Sequence, residues 1–548
     1  MKHNDSSKLS RRDFVELGSL AAAASALPAM GRERAEALAV PKEQQAFALE
    51  EITIAQLQDD MKSGKRTARG ITQAYLGRIA AMNAQGPTLR AVLETNPDAL
   101  NLADQLDAER KQGRVRGPLH GVPVIVKDNI DTHDRMQTTA GSLALEGNIA
   151  ERDAFVVERL RAAGAVILAK ANLSEWANYR STRASSGWSG RGRQCKNPFV
   201  LDRNPSGSSS GTGSAVSGNL AAAGVGTETD GSIISPSNAC GLVGIKPTVG
   251  LVSRSGIIPI AHSQDTAGPM CRSVADAAIM LTAMAGIDPR DSATAEATGH
   301  ISDYTTVLDV NGLRGARIGI PYVRAGTNPT VDRIVEEAIK VLKAQGAEVV
   351  DPTPIETAGQ LGNNERDVLQ YEFKADLNAY LATMPSNVKY RTLADLIAFN
   401  DANRDREMPY FGQETFIASQ ARGPLTDQAY IDTRAKCIEL TRAKGIDATM
   451  AKHGLDAIMG PSGGPAGLVD LVGAGGGGGG GAGSSQFPAI SGYPHITVPA
   501  GFHFGLPIDI SFYGRAWSEP VLIKLAYAFE QATKVRKAAT FIPTLVLS

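Results

Sequence analysis

The sequence predicts a single large α/β domain. Helical patterns alternate with short buried-strand patterns, as where an amphipathic helix over residues 154–163 precedes a strand over residues 166–170. No linker-like boundary interrupts this alternation, and no internal repeat is apparent. Of the 548 residues, 43% are hydrophobic and 21% are charged, which provides enough apolar material for one large core.

The composition argues against several classes of partner and cofactor. A formal net charge of −1 gives no reason to expect a nucleic acid or an anionic membrane, and 5% aromatic residues are too few for base stacking. The eight histidines show no metal-binding spacing, so we expect neither metal nor cofactor. No CxxC pair or disulfide framework is indicated, and four cysteines are expected to be small buried hydrophobes: Cys195, Cys240, Cys271 and Cys437.

The N-terminal segment predicts export. Residues 10–15 read SRRDFV and resemble the twin-arginine export signal, and an apolar run follows over residues 17–30. This run is shorter than the ~20 residues that span a bilayer. The tripeptide Ala-Leu-Ala at 37–39 offers a cleavage site. We therefore expect a twin-arginine-type signal peptide at residues 1–39 and a periplasmic or secreted mature chain at residues 40–548.

The alternative for this segment is an ordinary amphipathic helix, which Glu16 and the charged residues 32–34 favour and which would leave the protein in the cytoplasm. The twin-arginine route carries folded proteins, so export does not require disulfides. No cysteine follows the apolar run, so a lipoprotein anchor is not indicated. The mature form is expected to have no membrane partner.

The first part of the mature chain leads from helices to a buried strand. Residues 54–83 carry apolar side chains at helical spacing, residues 90–95 read as a strand, and residues 102–111 read as a charged, exposed helix. The apolar run over residues 122–126 predicts a buried strand with Lys127 at its end. Such a lysine either reaches the surface or is buried for a special role, and this stretch alone favours the surface.

The rest of the chain continues the alternation. A helix is predicted over residues 213–223, and residues 366–397 and 426–453 are mostly helical and form a cap or flank. The run GAGGGGGGGAG at residues 473–483 forms neither helix nor strand at reasonable cost and reads as a mobile loop. Further strands are predicted over residues 224–227, 241–246, 250–253, 317–321, 348–351, 457–459, 496–499 and 507–513, and further helices over residues 273–285, 330–345 and 520–533.

Two serine sites stand out in residues 205–255, a stretch rich in glycine and other small residues. One is the cluster Ser208-Ser209-Ser210, and the other is Ser232. Glycine-rich loops let backbone N–H groups cradle an anion, so a hydroxyl beside such a loop suits a nucleophile next to an oxyanion-binding site. The many buriable residues of the stretch argue against a flexible linker.

The serine cluster permits one assignment of the nucleophile. Ser209 occupies the nucleophile position of a GxSxG elbow at residues 207–211, with a histidine such as His503 as its base. The elbow needs a strand directly before it, and the preceding residues are loop-like. A P-loop is excluded because no Gly-Lys-Ser/Thr follows the glycines.

The other assignment has Ser232 as the nucleophile. This serine follows a short strand and a turn, and the backbone N–H groups that would form its oxyanion hole are those of Thr229, Asp230, Gly231 and Ser232. A serine hydroxyl needs a base, and a desolvated neutral lysine can serve where histidines are few. Lys127, at the end of an apolar strand, fits that role.

Together these segments resemble the amidase signature family. The resemblance covers most of the mature chain, and the joint occurrence of several motifs makes it specific. The matching segments are Gly121-Val122-Pro123 with Lys127, then GSSSG at 207–211, GTETDGSI at 226–233, GIKPTVGLVS at 244–253, QDTAGPM at 264–270 and PHITVPAG at 494–501.

The resemblance implies a fold with a central mixed, twisted β-sheet covered by helices on both faces. It also implies a Ser–cis-Ser–Lys triad, in which Ser232 is the nucleophile, Ser208 is the bridging serine after a cis peptide bond, and Lys127 is the neutral base. Ser210 and Thr227 align with residues that support the triad through hydrogen bonds. No metal or cofactor is implied.

Three positions depart from the commonest family pattern. The usual GGSSGG is SGSSSG at residues 206–211, the usual GTDxGGS is GTETDGS at residues 226–232, and the usual arginine after the nucleophile is Ile234. The triad is intact despite these changes. The last two accompany the peptide amidase branch of the family, which removes the C-terminal amide of peptides.

The resemblance therefore implies a serine amidohydrolase that releases ammonia from a small-molecule or peptide amide, with amidated peptides as the expected substrate and a monomeric mature form. Aryl, aliphatic and fatty acid amides are alternative substrates. A glutamyl-tRNA amidotransferase A-like subunit is a further alternative, which the export signal opposes. A non-catalytic binding protein on the same fold is opposed by the joint presence of Lys127, Ser208 and Ser232.

Overall fold

The computed structural model describes residues 47–322, 328–473 and 483–545. The chain divides into two units, residues 1–50 and 51–548, and every helix and strand within the described residues belongs to the second unit. The expected signal peptide at residues 1–39 lies outside the described residues, as do residues 474–482 of the glycine-rich run.

One mixed β-sheet forms the centre of the second unit. Its strands within the described residues number eleven: β1 (Val92–Thr95), β2 (Pro123–Lys127), β3 (Val166–Ala171), β4 (Ala223–Glu228), β5 (Val243–Lys246), β6 (Thr266–Cys271), β7 (Arg317–Gly319), β8 (Glu348–Val350), β9 (Ala457–Pro461), β10 (His495–His503) and β11 (Leu506–Tyr513). Their order across the sheet is β1-β3-β2-β4-β6-β5-β10-β11-β9-β7-β8.

The topology brings several strand ends to one edge of the sheet. Strand β2 is parallel to β3 and β4, whereas β6 is antiparallel to both β4 and β5. Strands β2, β4 and β5 therefore run in one direction, and their last residues, Lys127, Glu228 and Lys246, lie at the same edge. All residues of these three strands are buried, so both faces of the sheet are covered there, as parallel strands require.

Helices surround this sheet. Sixteen α-helices lie within the described residues: α1 (Ile54–Lys62), α2 (Ala68–Met82), α3 (Ala99–Lys111), α4 (Phe155–Ala162), α5 (Ser210–Ser217), α6 (Ile234–Ala239), α7 (Val274–Met284), α8 (Pro329–Ala344), α9 (Asn364–Ala382), α10 (Leu393–Ala402), α11 (Arg404–Glu407), α12 (Glu414–Gln420), α13 (Gln428–Thr441), α14 (Asp447–His453), α15 (Gln486–Ser491) and α16 (Glu519–Thr533). In the described part of the chain, no helix has the length and apolar character needed to cross a membrane.

The structure confirms the predicted α/β class and the helical character of residues 366–397, which contain most of α9 and the first half of α10. These helices build an apolar cluster beside the sheet, in which Phe373 and Phe416 pack with Trp176 and Ile258. The cluster fixes helix α9 against the segment that precedes β6. The predicted burial of the four cysteines is also confirmed, and all four are free thiols in the structure: Cys195, Cys240, Cys271 and Cys437.

Two predicted elements are wrong in part. The helix predicted over residues 213–223 begins earlier, at Ser210, and ends at Ser217, because Asn219 takes a left-handed conformation with a φ of 59°. The strand predicted over residues 250–253 is a turn, in which Gly250 has a φ of 96°. Propensity over a short window does not reveal such left-handed positions.

Strand β6 is an element that the sequence pattern does not predict. It contains Gly268 and Pro269, which interrupt the apolar run that would mark a buried strand. Pro269 nevertheless lies opposite Val225 of β4 in the ladder. On the other side of β6, the ladder with β5 contains Met270 and Cys271 but not Pro269, so a proline is tolerated there.

Candidate active site

Lys127 closes strand β2 and is completely buried. Its Nζ donates hydrogen bonds to Ser208 Oγ at 2.7 Å, to Thr227 Oγ1 at 2.8 Å and to the Thr227 carbonyl oxygen at 3.2 Å. The surface position that the strand alone favours is therefore wrong. The lysine instead links the loop before α5 to the end of β4, which are the two segments that carry the serine sites.

Burial lowers the pKa of Lys127 to about 7, and this effect outweighs the Asp265 and Glu228 carboxylates, which act in the opposite direction. The three oxygen atoms that accept from its Nζ are all uncharged, so direct contact with a carboxylate does not hold the ammonium form. A large fraction of Lys127 is therefore a neutral amine near neutral pH, and a neutral amine can accept a proton.

Ser208 lies in the loop before α5, where the Gly207–Ser208 peptide bond is cis. Its carbonyl oxygen accepts from the Ser174 N–H at 3.0 Å, and its hydroxyl oxygen accepts from Lys127. Gly207 is required by packing, because a Cβ at this position would collide with the Ser174 hydroxyl. When Lys127 is neutral, its Nζ carries a lone pair, so the Ser208 hydroxyl can instead donate to Nζ across the same 2.7 Å contact.

Ser209 and Ser210 are engaged by the surrounding backbone. The buried Ser209 hydroxyl donates to the Thr227 carbonyl at 3.1 Å and accepts from the Thr227 N–H at 3.2 Å. The Ser210 hydroxyl donates to the Ser206 carbonyl at 2.6 Å and lies 3.2 Å from Ser174 Oγ. Ser209 therefore ties α5 to β4, and Ser210 closes the turn that presents Ser208.

The GxSxG elbow is not formed by residues 207–211. The residues directly before Ser209 are a loop rather than a strand. His503, the histidine considered as its base, lies at the end of β10, with its ring 3.3 Å from Thr330 Oγ1. Strand β10 starts at the edge that holds Lys127, so its final residue lies at the opposite edge of the sheet.

Ser232 lies in the loop between β4 and α6 and is 8% exposed. Its carbonyl oxygen accepts from the Ser209 N–H at 3.2 Å, which places it beside the start of α5. Its hydroxyl has no hydrogen-bond partner among the described residues. The structure thus brings Ser232 next to the serine cluster without a hydrogen bond between the hydroxyls of Ser208 and Ser232.

The backbone around Ser232 offers a set of donors. Across the described chain, no acceptor is found for the N–H groups of Thr229, Asp230, Gly231 and Ser232, the four that the sequence assigns to an oxyanion hole. Gly231 has a φ of 74°, in the left-handed region that favours glycine. Successive unpaired N–H groups in such a turn suit the binding of an anion.

Thr227 connects several of these groups. Its hydroxyl oxygen accepts from Lys127 and from Asn129 Nδ2, the latter at 3.0 Å. Its backbone carbonyl oxygen accepts from the Ser209 hydroxyl, and its backbone N–H donates to the same hydroxyl. Asn129 is not among the residues that the sequence singles out, and its position two residues after Lys127 is the one signal that could have identified it.

Glu228 is the second residue that sequence reasoning misses. It ends strand β4, is 1% exposed, and accepts from the Ile233 N–H at 2.7 Å and the Ile234 N–H at 3.0 Å. Burial raises the pKa of its carboxyl above the ordinary value, although the nearby Lys246 and these two N–H groups act in the opposite direction. The feature of the sequence that could have identified Glu228 is an acidic residue placed between a buried strand and a glycine-containing turn.

A cavity of about 420 Å³ borders this network. Its lining includes Asn129, Thr227 and Thr229 on one side and Tyr380 of α9 on the other. The segment at residues 254–262 forms much of the remaining wall. The volume is within the range of pockets that hold small organic ligands.

One group of side chains in the described part of the chain has the composition of a metal site, namely His262, Glu372 and Asp376. Each has a protein partner. His262 Nδ1 lies 2.9 Å from an Asp376 carboxylate oxygen, and Glu372 accepts from the Tyr430 hydroxyl at 2.7 Å. These contacts form a hydrogen-bonded cluster that joins α9 to its neighbours.

Comparisons with known proteins agree with this architecture. A family model described as Amidase matches residues 70–523. A probable amidase of Arabidopsis thaliana is 43% identical over 506 residues, which cover 90% of this chain and 93% of the relative. A glutamyl-tRNA(Gln) amidotransferase subunit of Alkalilimnicola ehrlichii is 34% identical over 499 residues, which cover 88% of this chain and 98% of the relative.

Solved structures include close matches. Native peptide amidase from Stenotrophomonas maltophilia has a TM-score of 0.85 at 49% identity, with 90% of this chain and 99% of that chain covered. A peptide amidase in complex with the competitive inhibitor chymostatin has a TM-score of 0.87 at 49% identity, with 90% and 100% covered. The fold and these similarities define an enzyme that hydrolyses amides. The chain belongs to the amidase family.

Proposed function

We propose that the protein is a serine amidohydrolase that removes the C-terminal amide of peptides and releases ammonia. The observation that carries this proposal is the 2.7 Å hydrogen bond from the buried Lys127 Nζ to Ser208 Oγ, next to the loop that carries Ser232. A lysine with a pKa near neutrality, bonded to a serine beside unpaired backbone N–H groups, has the parts that acyl transfer requires.

In the proposed acylation step, Ser232 Oγ attacks the carbonyl carbon of the substrate amide. Its proton passes to Ser208 Oγ while the Ser208 proton passes to the neutral Lys127. This step requires a hydrogen bond between the two serine hydroxyls in the substrate complex. The negative charge that develops on the carbonyl oxygen is stabilised by backbone N–H groups from residues 229–232.

The tetrahedral intermediate then collapses with cleavage of the C–N bond. Lys127 returns its proton through Ser208 to the leaving nitrogen, which departs as ammonia and leaves an ester on Ser232. A water molecule attacks this ester by the same relay, with its proton taken up through Ser208. Cleavage of the C–O bond, with return of this proton from Lys127 through Ser208 to Ser232 Oγ, restores the Ser232 hydroxyl and yields the carboxylic acid. None of these proposed steps uses a metal or a cofactor.

Thr227 and Ser210 act as supporting residues in this proposal. Thr227 holds Lys127 by two hydrogen bonds, at its hydroxyl and at its carbonyl oxygen. Ser210 holds the Ser206 carbonyl and thereby the turn before Ser208. These contacts reduce the rotational freedom of the base and the relay, which lowers the entropic cost of reaching the reactive geometry.

Peptide amides are the proposed substrate class. Support comes from the 49% identity to peptide amidases, one of which binds the inhibitor chymostatin, and from the GTETDGSI motif at residues 226–233. The test is ammonia release by the purified chain from amidated peptides, aryl amides, aliphatic amides and fatty acid amides. Higher kcat/KM for peptide amides than for the other classes supports the proposal, and a preference for any other class refutes it.

The relatives named as amidotransferase subunits define the second candidate. A protein of that kind would act with partner subunits and a tRNA-bound substrate. Turnover of peptide amides by the isolated chain, without nucleic acid, distinguishes the two functions. Activity that appears only after addition of partner subunits and aminoacylated tRNA contradicts the peptide amidase proposal.

We further propose that the chain is exported through the twin-arginine route and acts as a monomer without a membrane or nucleic-acid partner. The support is the SRRDFV motif at residues 10–15 and the near-neutral charge. Cell fractionation of the native chain and of the Arg11→Lys, Arg12→Lys double variant tests the route. Recovery of both proteins in the cytoplasm refutes export, and size measurement by light scattering tests the monomer.

A further inference from the structure

A second buried polar group lies at the same sheet edge as Lys127. Glu228 ends β4, Lys246 ends β5, and His495 begins β10, where the ladder pairs it with Lys246. None of the three is more than 1% exposed. The chemistry proposed for Lys127 and the serines does not use these side chains, so their burial needs another explanation.

The contacts of Glu228 concern the loop that carries Ser232. One carboxylate oxygen accepts from both Ile233 and Ile234, the first two residues after Ser232. The loop thus leaves β4 at Glu228, passes through four N–H groups that have no acceptor in the described part of the chain, and returns to the Glu228 side chain. A single buried side chain thereby holds both ends of the loop.

Lys246 acts on this carboxylate through its charge, without a hydrogen bond between the two side chains among the described residues. Its Nζ is buried and donates to the Pro247 carbonyl oxygen at 3.1 Å. Burial lowers the pKa of Lys246 to about 8, and the charge of Glu228 is the largest effect that opposes this shift. The other charged or titratable groups that face this pair are Asp230, Arg442, His495 and Glu519.

We propose that Glu228 is a positioning residue for the amidase reaction, which fixes the oxyanion loop through Ile233 and Ile234 with Lys246 as its counter-charge. This inference rests on the proposed function of Ser232 and Lys127. Glu228 acts through the backbone and touches neither substrate nor reacting atoms. The carboxylate also has an electrostatic effect at a distance, because its negative charge raises the pKa of Lys127.

Two substitutions separate the geometric effect from the electrostatic one. Glu228→Gln keeps the length of the side chain and an oxygen that accepts from both N–H groups, but it removes the charge. Glu228→Asp keeps the charge but shortens the side chain by one methylene, so it reaches the two N–H groups less well. Each variant is purified, and kcat, KM and the pH dependence of kcat/KM are measured on a peptide amide.

We expect Glu228→Gln to move the acid limb of kcat/KM to lower pH, because Lys127 loses a nearby negative charge. We expect Glu228→Asp to leave that limb in place and to lower kcat about 10- to 100-fold with little change in KM, which is less than the roughly 10²- to 10³-fold loss on removal of a whole oxyanion donor. A residue that only stabilises the fold would lower the melting temperature without either change.

The matched control is Asp276→Asn. Asp276 is another buried carboxylate that accepts from a backbone N–H, that of Ile54 at 3.0 Å, and it belongs to α7 outside the active-site network. The Asp276→Asn substitution is expected to lower stability, while kcat and the acid limb of the pH profile stay as in the wild type.

The positioning role is overturned if Glu228→Asp keeps the wild-type kcat, and an unchanged acid limb in Glu228→Gln overturns the electrostatic effect on Lys127. Should Glu228→Gln not fold, Glu228→Asp decides the matter alone. Failure of the proposed function has a different signature, because wild-type protein would then release no ammonia from peptide amides and Ser232 would resist fluorophosphonates. In that case the melting temperature of Glu228→Asp is compared with that of the wild type. An unchanged melting temperature then also overturns the structural role of Glu228 in holding the loop.

Discussion

Lys127 Nζ lies 2.7 Å from Ser208 Oγ, although the two residues are 81 positions apart in the sequence. The topology of the sheet explains this contact. Parallel strands β2 and β4 end at one edge, and the loop before α5 packs against the end of β4 through Ser209 and Thr227. A buried amine and a buried hydroxyl thus form a pair whose strength depends on the exclusion of water.

Replacement of Lys127 by methionine removes the proposed base without leaving a buried charge. Methionine is apolar and of similar length, so the fold is expected to persist. We expect kcat on a peptide amide to fall about 10²- to 10⁴-fold, the usual contribution of a general base. Steady-state ammonia release, together with a melting curve, measures both effects.

The control for this substitution is Lys170→Met. Lys170 is equally buried, in the neighbouring strand β3, where its Nζ donates to the Ile130 carbonyl at 2.6 Å and to Thr138 Oγ1 at 2.7 Å. Its loss is expected to lower stability but to leave kcat of the folded protein close to the wild-type value. Equal losses of kcat in both variants contradict a specific role for Lys127.

Ser232→Ala is expected to abolish turnover and labelling by a fluorophosphonate, because the nucleophilic oxygen is gone. Ser209→Ala is its matched comparison, since both serines belong to the same small-residue stretch. Among the described residues, the Ser209 hydroxyl forms hydrogen bonds only with the Thr227 backbone, so its loss is expected to cost about 1 to 2 kcal/mol of stability with labelling of Ser232 retained. Mass spectrometry of the labelled peptide identifies the modified serine, and a label on Ser209 refutes the assignment.

Much of the fold could be predicted from sequence where periodicity is strong. The run at residues 122–126 is a buried strand, and α8 and α16 lie close to their predicted ranges. Strand β6 could not be predicted, because Gly268 and Pro269 mask its pattern and only its partners β4 and β5 define it. Element type follows from local pattern, whereas strand order depends on contacts between distant segments.

The candidate active site likewise contains residues that sequence motifs identify and residues that only the structure identifies. The resemblance of motifs selects Lys127, Ser208 and Ser232, and the structure places them around the end of β4 and the start of α5. Asn129 and Glu228 escape a sequence-based search because their importance lies in what they touch, namely the Thr227 hydroxyl and the N–H groups beyond Ser232. Residue 228 lies within the GTETDGSI motif, but the motif does not show which backbone groups its side chain holds.

The pH dependence of activity follows from the pKa of about 7 for Lys127. The reaction as proposed needs the neutral amine. We therefore expect kcat/KM to rise tenfold per pH unit below this pKa and to level off above it. A profile that instead falls between pH 6 and pH 8 contradicts the neutral-base role.

The free energy of unfolding should also depend on the protonation of Lys127. Lys127 has an ordinary pKa near 10.5 when unfolded and about 7 when folded, so the unfolded state binds more protons between these values. The penalty of burying the lysine is fully present below pH 7 and decreases as the pH rises toward 10.5. We expect Lys127→Met to be more stable than the wild type at pH 6, with a difference that shrinks toward pH 9. Urea denaturation at both pH values measures it, and a difference independent of pH contradicts the shift.

Gly231→Ala tests whether the geometry of the oxyanion loop matters for catalysis. Gly231 has a φ of 74°, and an added Cβ would lie 3.0 Å from Ser235 Oγ and 3.2 Å from Ser485 Oγ. The left-handed backbone costs an alanine roughly 1 to 2 kcal/mol, and relief of this strain would move the neighbouring N–H groups. We expect kcat to fall at least about tenfold, by weakened oxyanion binding, with a smaller change in KM.

Gly299→Ala provides the comparison that separates backbone strain from catalysis. Gly299 has a φ of 85°, and nothing lies within 4 Å of the added Cβ. It lies between α7 and β7, outside the active-site network. The two variants should therefore lose similar stability through the left-handed conformation, while only Gly231→Ala loses kcat. If both lose kcat in proportion to stability, the loop has no special role, whereas loss confined to Gly231→Ala ties oxyanion geometry to the backbone that Glu228 holds.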